Sequence, residues 1–235
     1  MNRILELLVR VRDEAGESRQ EAIEALYANV AGLAEGTQIF AKVFPDLDRG
    51  ARMNVLDIID VLCQAVGATR DLIRRCVEGS DESLAAVAAG AAWRIGADPV
   101  ATTARLVCSL DSGPESARFA LIGLQAMGRE ARGASAHLEE LLDATEVPSA
   151  RLAFTLWKIS DSPERAMRAL NLLLDSGERE AQLEAIGLLW MMGRDAAGAM
   201  DTLERLCSRC QPNADALREK AEALLGQLKA RGRCE

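Results

Sequence analysis

Apolar residues followed by a small turn residue recur at nearly constant intervals along the chain. The five pairs are Val66-Gly67, Ile95-Gly96, Met127-Gly128, Ile159-Ser160 and Met192-Gly193. The steps between them are 29, 32, 32 and 33 residues, and one more step of 33 reaches Leu225-Gly226. Glycine readily takes the left-handed conformation that ends a helix, so each pair predicts a helix end. At Ser160 the following Asp161, Ser162 and Pro163 supply the stop instead.

Apolar residues also recur at fixed distances around these turns. Four residues before the turn lie Cys63, Ala92, Leu124, Leu156 and Leu189. Ten residues after it lie Val77, Leu106, Leu138, Leu170 and Leu203, and fourteen after it lie Leu110, Leu142, Leu174 and Cys207. Positions four apart share one face of a helix. Each repeat is therefore predicted to be two amphipathic helices around a short turn, with the second helix starting just after the turn residue.

A hairpin of this kind cannot cover its own apolar face, and stacking on its neighbours would cover it. The pattern predicts an all-α fold: a right-handed α-solenoid of stacked antiparallel helix pairs. The segments FALIGLQAMGREARGASAHLEELLD (119–143) and LEAIGLLWMMGRDAAGAMDTLERLC (183–207) resemble the paired helices of bacterial HEAT repeats. The resemblance covers residues 48–228 and implies about five to six hairpins in a HEAT/armadillo-like superhelix. The tetratricopeptide pattern is disfavoured because its Trp/Gly/Tyr signature is missing from the first helix.

The two ends of the chain depart from the repeat. Residues 1–47 fit it poorly and are predicted to form an N-terminal helical cap, with helices at 2–14, 19–34 and 37–44. Pro45 and Asp46 mark the join to the first repeat. Residues 229–235 are predicted to be a polar C-terminal tail.

Composition and charge support a helical, water-soluble chain. Alanine and leucine, both strong helix formers, fill 72 of the 235 positions, and aromatic residues make up only 3%. The net charge of −8 disfavours nucleic acid and anionic membranes as partners. The sequence has no long apolar run and no signal-peptide pattern, and its six cysteines form no dense disulfide framework. We therefore expect a cytoplasmic protein with reduced thiols.

The sequence offers no catalytic, cofactor or metal motif. His137 is its only histidine, and neither a nucleophile elbow nor a phosphate-binding glycine loop is present. Cys207 and Cys210 form a C-x-x-C, but a redox role would need a thioredoxin-like context and a zinc site would need two more ligands. Because Cys207 occupies a position that leucine takes in other repeats, we interpret it as a core residue.

The three tryptophans fall at one position of the repeat. Trp93, Trp157 and Trp190 each lie three residues before the turn residue. Such a ladder could form an exposed aromatic strip or the seam where one repeat packs on the next. The residues one turn earlier, Ala89, Ala153 and Ile186, are apolar, which favours a buried or half-buried seam.

The HEAT resemblance implies that the second helices line a concave face. The positions that flank the apolar stripe there include Arg75, Arg105, His137, Glu140, Arg168 and Arg205. Arginine is enriched at interfaces and pairs bidentately with carboxylates. These residues therefore predict a groove that binds an acidic segment of another protein, with a merely solvated charged face as the alternative.

The absence of catalytic motifs favours a noncatalytic protein–protein interaction module: a scaffold, an adaptor or an immunity- or inhibitor-type binder. Two enzyme classes built from related repeats remain as alternatives. Bilin lyases need few recognisable residues. The HEAT-fold alkylpurine DNA glycosylases have strongly basic concave faces, whereas this chain is acidic.

Overall fold

A computed structural model describes residues 6–7, 9–10, 14, 16–28, 41, 43–62, 68–144, 149–160, 163–209 and 216–232. The regular secondary structure of these residues is entirely helical, which confirms the predicted all-α class. The chain divides into two compact units, Met1–Ala131 and Arg132–Glu235. None of the described helices combines the length and the apolar character that a membrane span requires.

The first unit contains six of the described α-helices. They are α1 (Gly16–Ala28), α2 (Arg49–Leu62), α3 (Ala68–Val77), α4 (Glu82–Arg94), α5 (Pro99–Leu110) and α6 (Pro114–Met127), with a short 3₁₀ turn at Phe44–Asp46. A 3₁₀ segment, Gly128–Ala134, crosses the boundary between the units. The second unit contains α7 (Ser135–Asp143), α8 (Ala150–Ile159), α9 (Pro163–Asp175), α10 (Arg179–Met192), the 3₁₀ segment Gly193–Ala199, α11 (Met200–Arg209) and α12 (Ala216–Gly232).

The predicted helix ends are present at four of the five turn pairs. Gly96, Gly128 and Gly193 have φ angles of 93°, 57° and 63°, which side chains other than hydrogen rarely allow. Ser160 has extended backbone and donates its N–H to the carbonyl of Leu156 at the end of α8. The pair at 66–67 lies outside the described residues.

The prediction of a turn at Leu225-Gly226 is wrong, because α12 continues through both residues to Gly232. A lone glycine weakens a helix without ending it, and no proline follows within the helix. Leu217, Ala221, Leu224 and Leu228 are all buried on one face, so helical periodicity is maintained past the glycine. Residues 229–232 of the predicted polar tail are helical, and 233–235 lie outside the described residues.

Two second helices begin later than the sequence predicts. The segments GREARGA (128–134) and GRDAAGA (193–199) form 3₁₀ helices before α7 and α11 start. The alanines and glycines of these segments allow the tighter 3₁₀ winding and let the backbone approach neighbouring helices closely. A Cβ on Gly198 would lie 3.1 Å from the Cγ of Met167, and Ala196 and Ala199 are fully buried.

The first unit is centred on α4, which packs against α2, α3, α5 and α6. Alanine fills most of the buried positions of α4, and these small side chains let neighbouring helices approach closely. Glycines do the same where α4 meets α6: a Cβ on Gly90 would lie 3.9 Å from the Cα of Gly123. At one end of this layer the Arg49 guanidinium bonds the carboxylates of Asp81 and Glu115, each at 2.7 Å. It lowers the pKa of both carboxyl groups and links the start of α2 to the starts of α4 and α6.

In the second unit, first helices also pack on one another, and the same repeat positions are buried. α8 packs on α10, and α10 packs on α12, while α9 contacts α8, α10 and α11. Leucines at the predicted stripe positions are buried: Leu138, Leu142, Leu170, Leu174 and Leu203. Cys207, at the corresponding position of α11, is partly buried.

The N-terminal segment contributes to the core of the first unit. Helix α1 starts before the predicted helix 19–34. Residues 29–40 lie outside the described residues, and they include the rest of that prediction and the first half of 37–44. The predicted helix at 2–14 also lies mostly outside them. Among the described residues of this segment, the buried apolar side chains are those of Leu7, Ala22, Leu26, Phe44 and Leu47, which belong to one apolar cluster with α2, α3 and α4.

Candidate functional site

An open cleft of about 350 Å³ lies on the second-helix side of the first unit, between α3 and α5 and above α4. Its apolar lining includes Ile73, Val77, Ala89, Ala92 and Ile95. The charged residues of the lining are three arginines, Arg70 and Arg74 from α3 and Arg105 from α5, and one acid, Asp98. A cavity of this size with apolar walls and a few charged groups has the usual character of a binding site.

Arg105 is held tightly by its own unit. Its Nε donates to the Val77 carbonyl at 2.9 Å, and its Nη1 donates to Glu82 Oε2 at 2.8 Å and to Ser109 Oγ at 3.0 Å. The Arg105 guanidinium lowers the pKa of the Glu82 carboxyl. The side chain is 19% exposed. Arg105 therefore joins α3, α4 and α5, and most of its charge is compensated before any partner arrives.

The other cleft arginines are more accessible. Arg70 and Arg74 lie one helical turn apart on α3, and both are exposed. Arg70 Nη2 lies 3.5 Å from the Ile95 carbonyl oxygen, and Arg74 Nη2 lies 3.5 Å from Asp71 Oδ1, and both distances are long for hydrogen bonds. Arg75, the predicted residue on this helix, is exposed but does not line the cleft. In the sequence, the i, i+4 spacing of Arg70 and Arg74 was the signal that both side chains lie on one face of the helix.

The other four predicted site residues lie in the second unit. His137 Nδ1 is 3.8 Å from Glu140 Oε2 on α7. Arg205 is paired, because its Nη2 donates to Asp175 Oδ2 at 2.9 Å and to Thr202 Oγ1 at 3.1 Å. Arg168 is exposed on α9, four residues before Leu172, whose side chain is 60% exposed.

The tryptophans differ in their surroundings although they share one repeat position. Trp93 Nε1 donates to Glu130 Oε2 at 2.9 Å, and Trp157 Nε1 donates to Asp195 Oδ2 at 3.0 Å. Each bond reaches the following repeat, and both rings are half-buried, as expected of a seam. Trp190 is 45% exposed, so the seam interpretation does not hold for it.

The described cysteines Cys76, Cys108 and Cys207 are not in disulfides. No three His, Cys, Asp or Glu side chains in the part of the chain that the structure describes are placed to hold a metal ion. Burial raises the pKa of the Cys76 thiol, which makes it a poorer nucleophile at neutral pH. Cys210, the second cysteine of the C-x-x-C, lies outside the described residues.

A second cleft, of about 260 Å³, lies on the first-helix side of the same unit and contains an acidic pair. Burial, with repulsion from Asp60, raises the pKa of Asp57 to about 6. Burial also raises the pKa of Asp60, although Arg94 Nε lies 3.0 Å from its Oδ1. Sequence reasoning missed this pair because NVLDIIDVL has the pattern of an ordinary amphipathic helix.

Asp57→Asn is expected to stabilise the first unit at neutral pH. The folded-state pKa lies above the ordinary value, so the carboxyl group destabilises the fold increasingly as the pH rises from about 4 to 6. We expect a gain of roughly 1–2 kcal/mol at pH 7, reduced by partial solvent screening, and almost none at pH 4. Urea unfolding at both pH values measures it, with exposed Asp46→Asn as the control. An equal effect of Asp57→Asn at the two pH values would contradict the raised pKa.

No protein-family model matches the sequence, and no curated protein is significantly similar to it.

Proposed function

We propose that the chain is a HEAT-like right-handed α-solenoid that serves as a noncatalytic protein–protein interaction module. Its second helices would form the binding face, and its partner would be an acidic segment of another protein. Three features support a solenoid: the nearly constant repeat length, the positive-φ glycines at helix ends, and the packing of α2 on α4, α4 on α6, α8 on α10 and α10 on α12.

The observation that carries the binding proposal is the arginine-bordered cleft between α3 and α5. An apolar side chain of the partner would fill the cleft and contact Ile73, Val77 and Ile95. Carboxylates on either side would reach the guanidinium groups of Arg70 and Arg74, and charge-assisted bonds of this kind are the stronger ones. The acidic remainder of the surface would repel an acidic partner, which confines it to this cleft.

Arg70 and Arg74 are better test positions than Arg105. Replacing Arg105 would remove bonds to Val77, Glu82 and Ser109 and disturb the helix packing together with any binding. Arg70 and Arg74 are exposed on α3, so their substitution should leave the packing of the helices intact.

The test uses the full chain and a short fluorescein-labelled amphipathic helix of leucine and glutamate, followed by anisotropy. We expect saturable binding that weakens with salt and is absent for a leucine–lysine counterpart. Arg70→Glu with Arg74→Glu should weaken it at least tenfold, about 1.4 kcal/mol. Arg132→Glu with Lys158→Glu makes the same charge change at exposed residues that do not line the cleft, and should leave the affinity within about twofold. Equal losses in both double variants would show that net charge, not the cleft, controls binding.

A further inference from the structure

A tryptophan-to-carboxylate bond joins consecutive repeats twice in this protein. The acceptors, Glu130 and Asp195, lie 37 and 38 residues after Trp93 and Trp157. Each acceptor is the third residue of a glycine-led 3₁₀ segment, GREARGA or GRDAAGA. The indole N–H and the carboxylate therefore form a recurring connection between one first helix and the repeat that follows it.

Trp190 occupies the same repeat position but lacks this acceptor. The residues 37 and 38 positions after it are Gln227 and Leu228, and α12 has no glycine-led 3₁₀ segment there because it continues as one helix. Within the described ranges no carboxylate bonds the Trp190 indole. Trp190 is 45% exposed, and the adjacent Met191 is 66% exposed. Among the three tryptophans, Trp190 is thus the one whose indole has no carboxylate acceptor in the described part of the chain.

The surface beside Trp190 has room for a partner. A shallow depression of about 320 Å³ lies between α10 and α12, lined by Leu183, Ile186, Gly187, Trp190, Lys220 and Ala223. The space beside Gly187 is open, since a Cβ added there would meet nothing within 4 Å. Lys220 is the only charged residue of the lining, and it is exposed. The depression therefore combines apolar walls with two hydrogen-bond donors, an indole N–H and an ammonium group.

We propose that this surface binds a segment of another protein that supplies to Trp190 the carboxylate that Glu130 and Asp195 supply to Trp93 and Trp157. The segment presents a carboxylate to Trp190 Nε1 and Lys220 Nζ, and places a small apolar side chain in the depression. The partner segment would thus resemble GREARGA and GRDAAGA of this chain, in which a carboxylate residue is followed directly by alanine. A second copy of this chain is a poorer occupant, because its own matching carboxylates already bond Trp93 and Trp157.

The probe is a fluorescein-labelled peptide with the sequence of residues 128–143, GREARGASAHLEELLD, which contains Glu130 and the segment that follows it. Anisotropy of this peptide titrated with the full chain is expected to show saturable binding. The Trp190→Phe variant keeps the apolar ring and removes the N–H donor, so it should weaken binding about tenfold. A peptide with Glu130→Gln should lose at least a similar factor on the wild-type chain and a smaller factor on Trp190→Phe, where only the Lys220 ammonium still contacts the carboxylate.

Matched controls separate this site from others. Val100→Ala changes an exposed apolar residue of the first unit and should leave the affinity unchanged. Arg70→Glu with Arg74→Glu removes the arginine-bordered cleft as a second site for this acidic peptide, and the loss caused by Glu130→Gln should persist in that background, so the proposal stands or falls independently of the cleft.

Three results would overturn the proposal: no saturable binding of the peptide, equal affinity for the unmodified peptide and the Glu130→Gln peptide, or full affinity in Trp190→Phe. Light scattering tests whether a second copy of this chain occupies the surface instead. Concentration-dependent dimerisation of the wild type that Trp190→Phe abolishes would assign the surface to a second copy and overturn the choice of another protein.

Discussion

Replacing Leu138 or Leu170 with alanine is expected to lower the free energy of unfolding by about 2–5 kcal/mol each. Both side chains are fully buried, at matching positions of α7 and α9. Truncation to alanine removes three buried carbons and leaves a cavity that close-packed neighbours fill only in part. Urea unfolding of the full chain, followed by helical circular dichroism, measures the change.

The control is Leu172→Ala on α9, two residues beyond Leu170. Leu172 is 60% exposed, so its truncation should change the free energy of unfolding by less than about 0.5 kcal/mol. Because all three variants make the same chemical change, the contrast isolates burial. Losses below about 0.5 kcal/mol at both Leu138 and Leu170 would mean that the apolar stripe does not face the core.

This stripe is also where sequence reasoning succeeded most fully. Position within a helical period decides which side of a helix is apolar, and the chain repeats that period almost without change. Gly96, Gly128 and Gly193 mark helix ends because their backbone has positive φ, which strains residues other than glycine. Features fixed by local backbone preference and periodicity are thus available from one sequence.

The failures have an equally physical cause. The 3₁₀ segments at 128–134 and 193–199 contain buried alanines packed against the rest of the fold, and periodicity carries no information about how tightly a segment winds. The helix through Gly226 depends on leucines that pack against other elements. Tertiary contacts override a weak local preference in both cases.

Charged side chains were the hardest features to predict. Arg105 and Arg205 both flank the apolar stripe of a second helix, nine and twelve residues past the turn, yet each is committed to a carboxylate, 23 and 30 residues away respectively. Such pairs depend on side-chain geometry between helices, which spacing alone does not determine. Trp190 differs, because the absence of an acid at the corresponding distance can be read from the sequence once the other two bonds are known.

Deleting residues 1–47 is expected to destabilise the first unit severely and to cause aggregation. Leu7, Ala22, Leu26, Phe44 and Leu47 would be lost from its core, leaving apolar surfaces of α2, α3 and α4 exposed to water. Full burial of one leucine or phenylalanine side chain contributes about 1.5–3 kcal/mol, so loss of several approaches the total stability of a typical domain.

Light scattering and thermal unfolding of the truncated chain measure the effect. Full-length Leu26→Ala serves as a graded comparison, because Leu26 is fully buried and should lose about 2–5 kcal/mol while the chain stays folded. Glu24→Ala, on the exposed side of the same helix, should change stability little. We expect the truncation to melt at a lower temperature than Leu26→Ala and to bind a hydrophobic dye at room temperature. An unchanged melting curve and full solubility would show that residues 1–47 are an appendage, and that α2 can end the stack of helices without a cap.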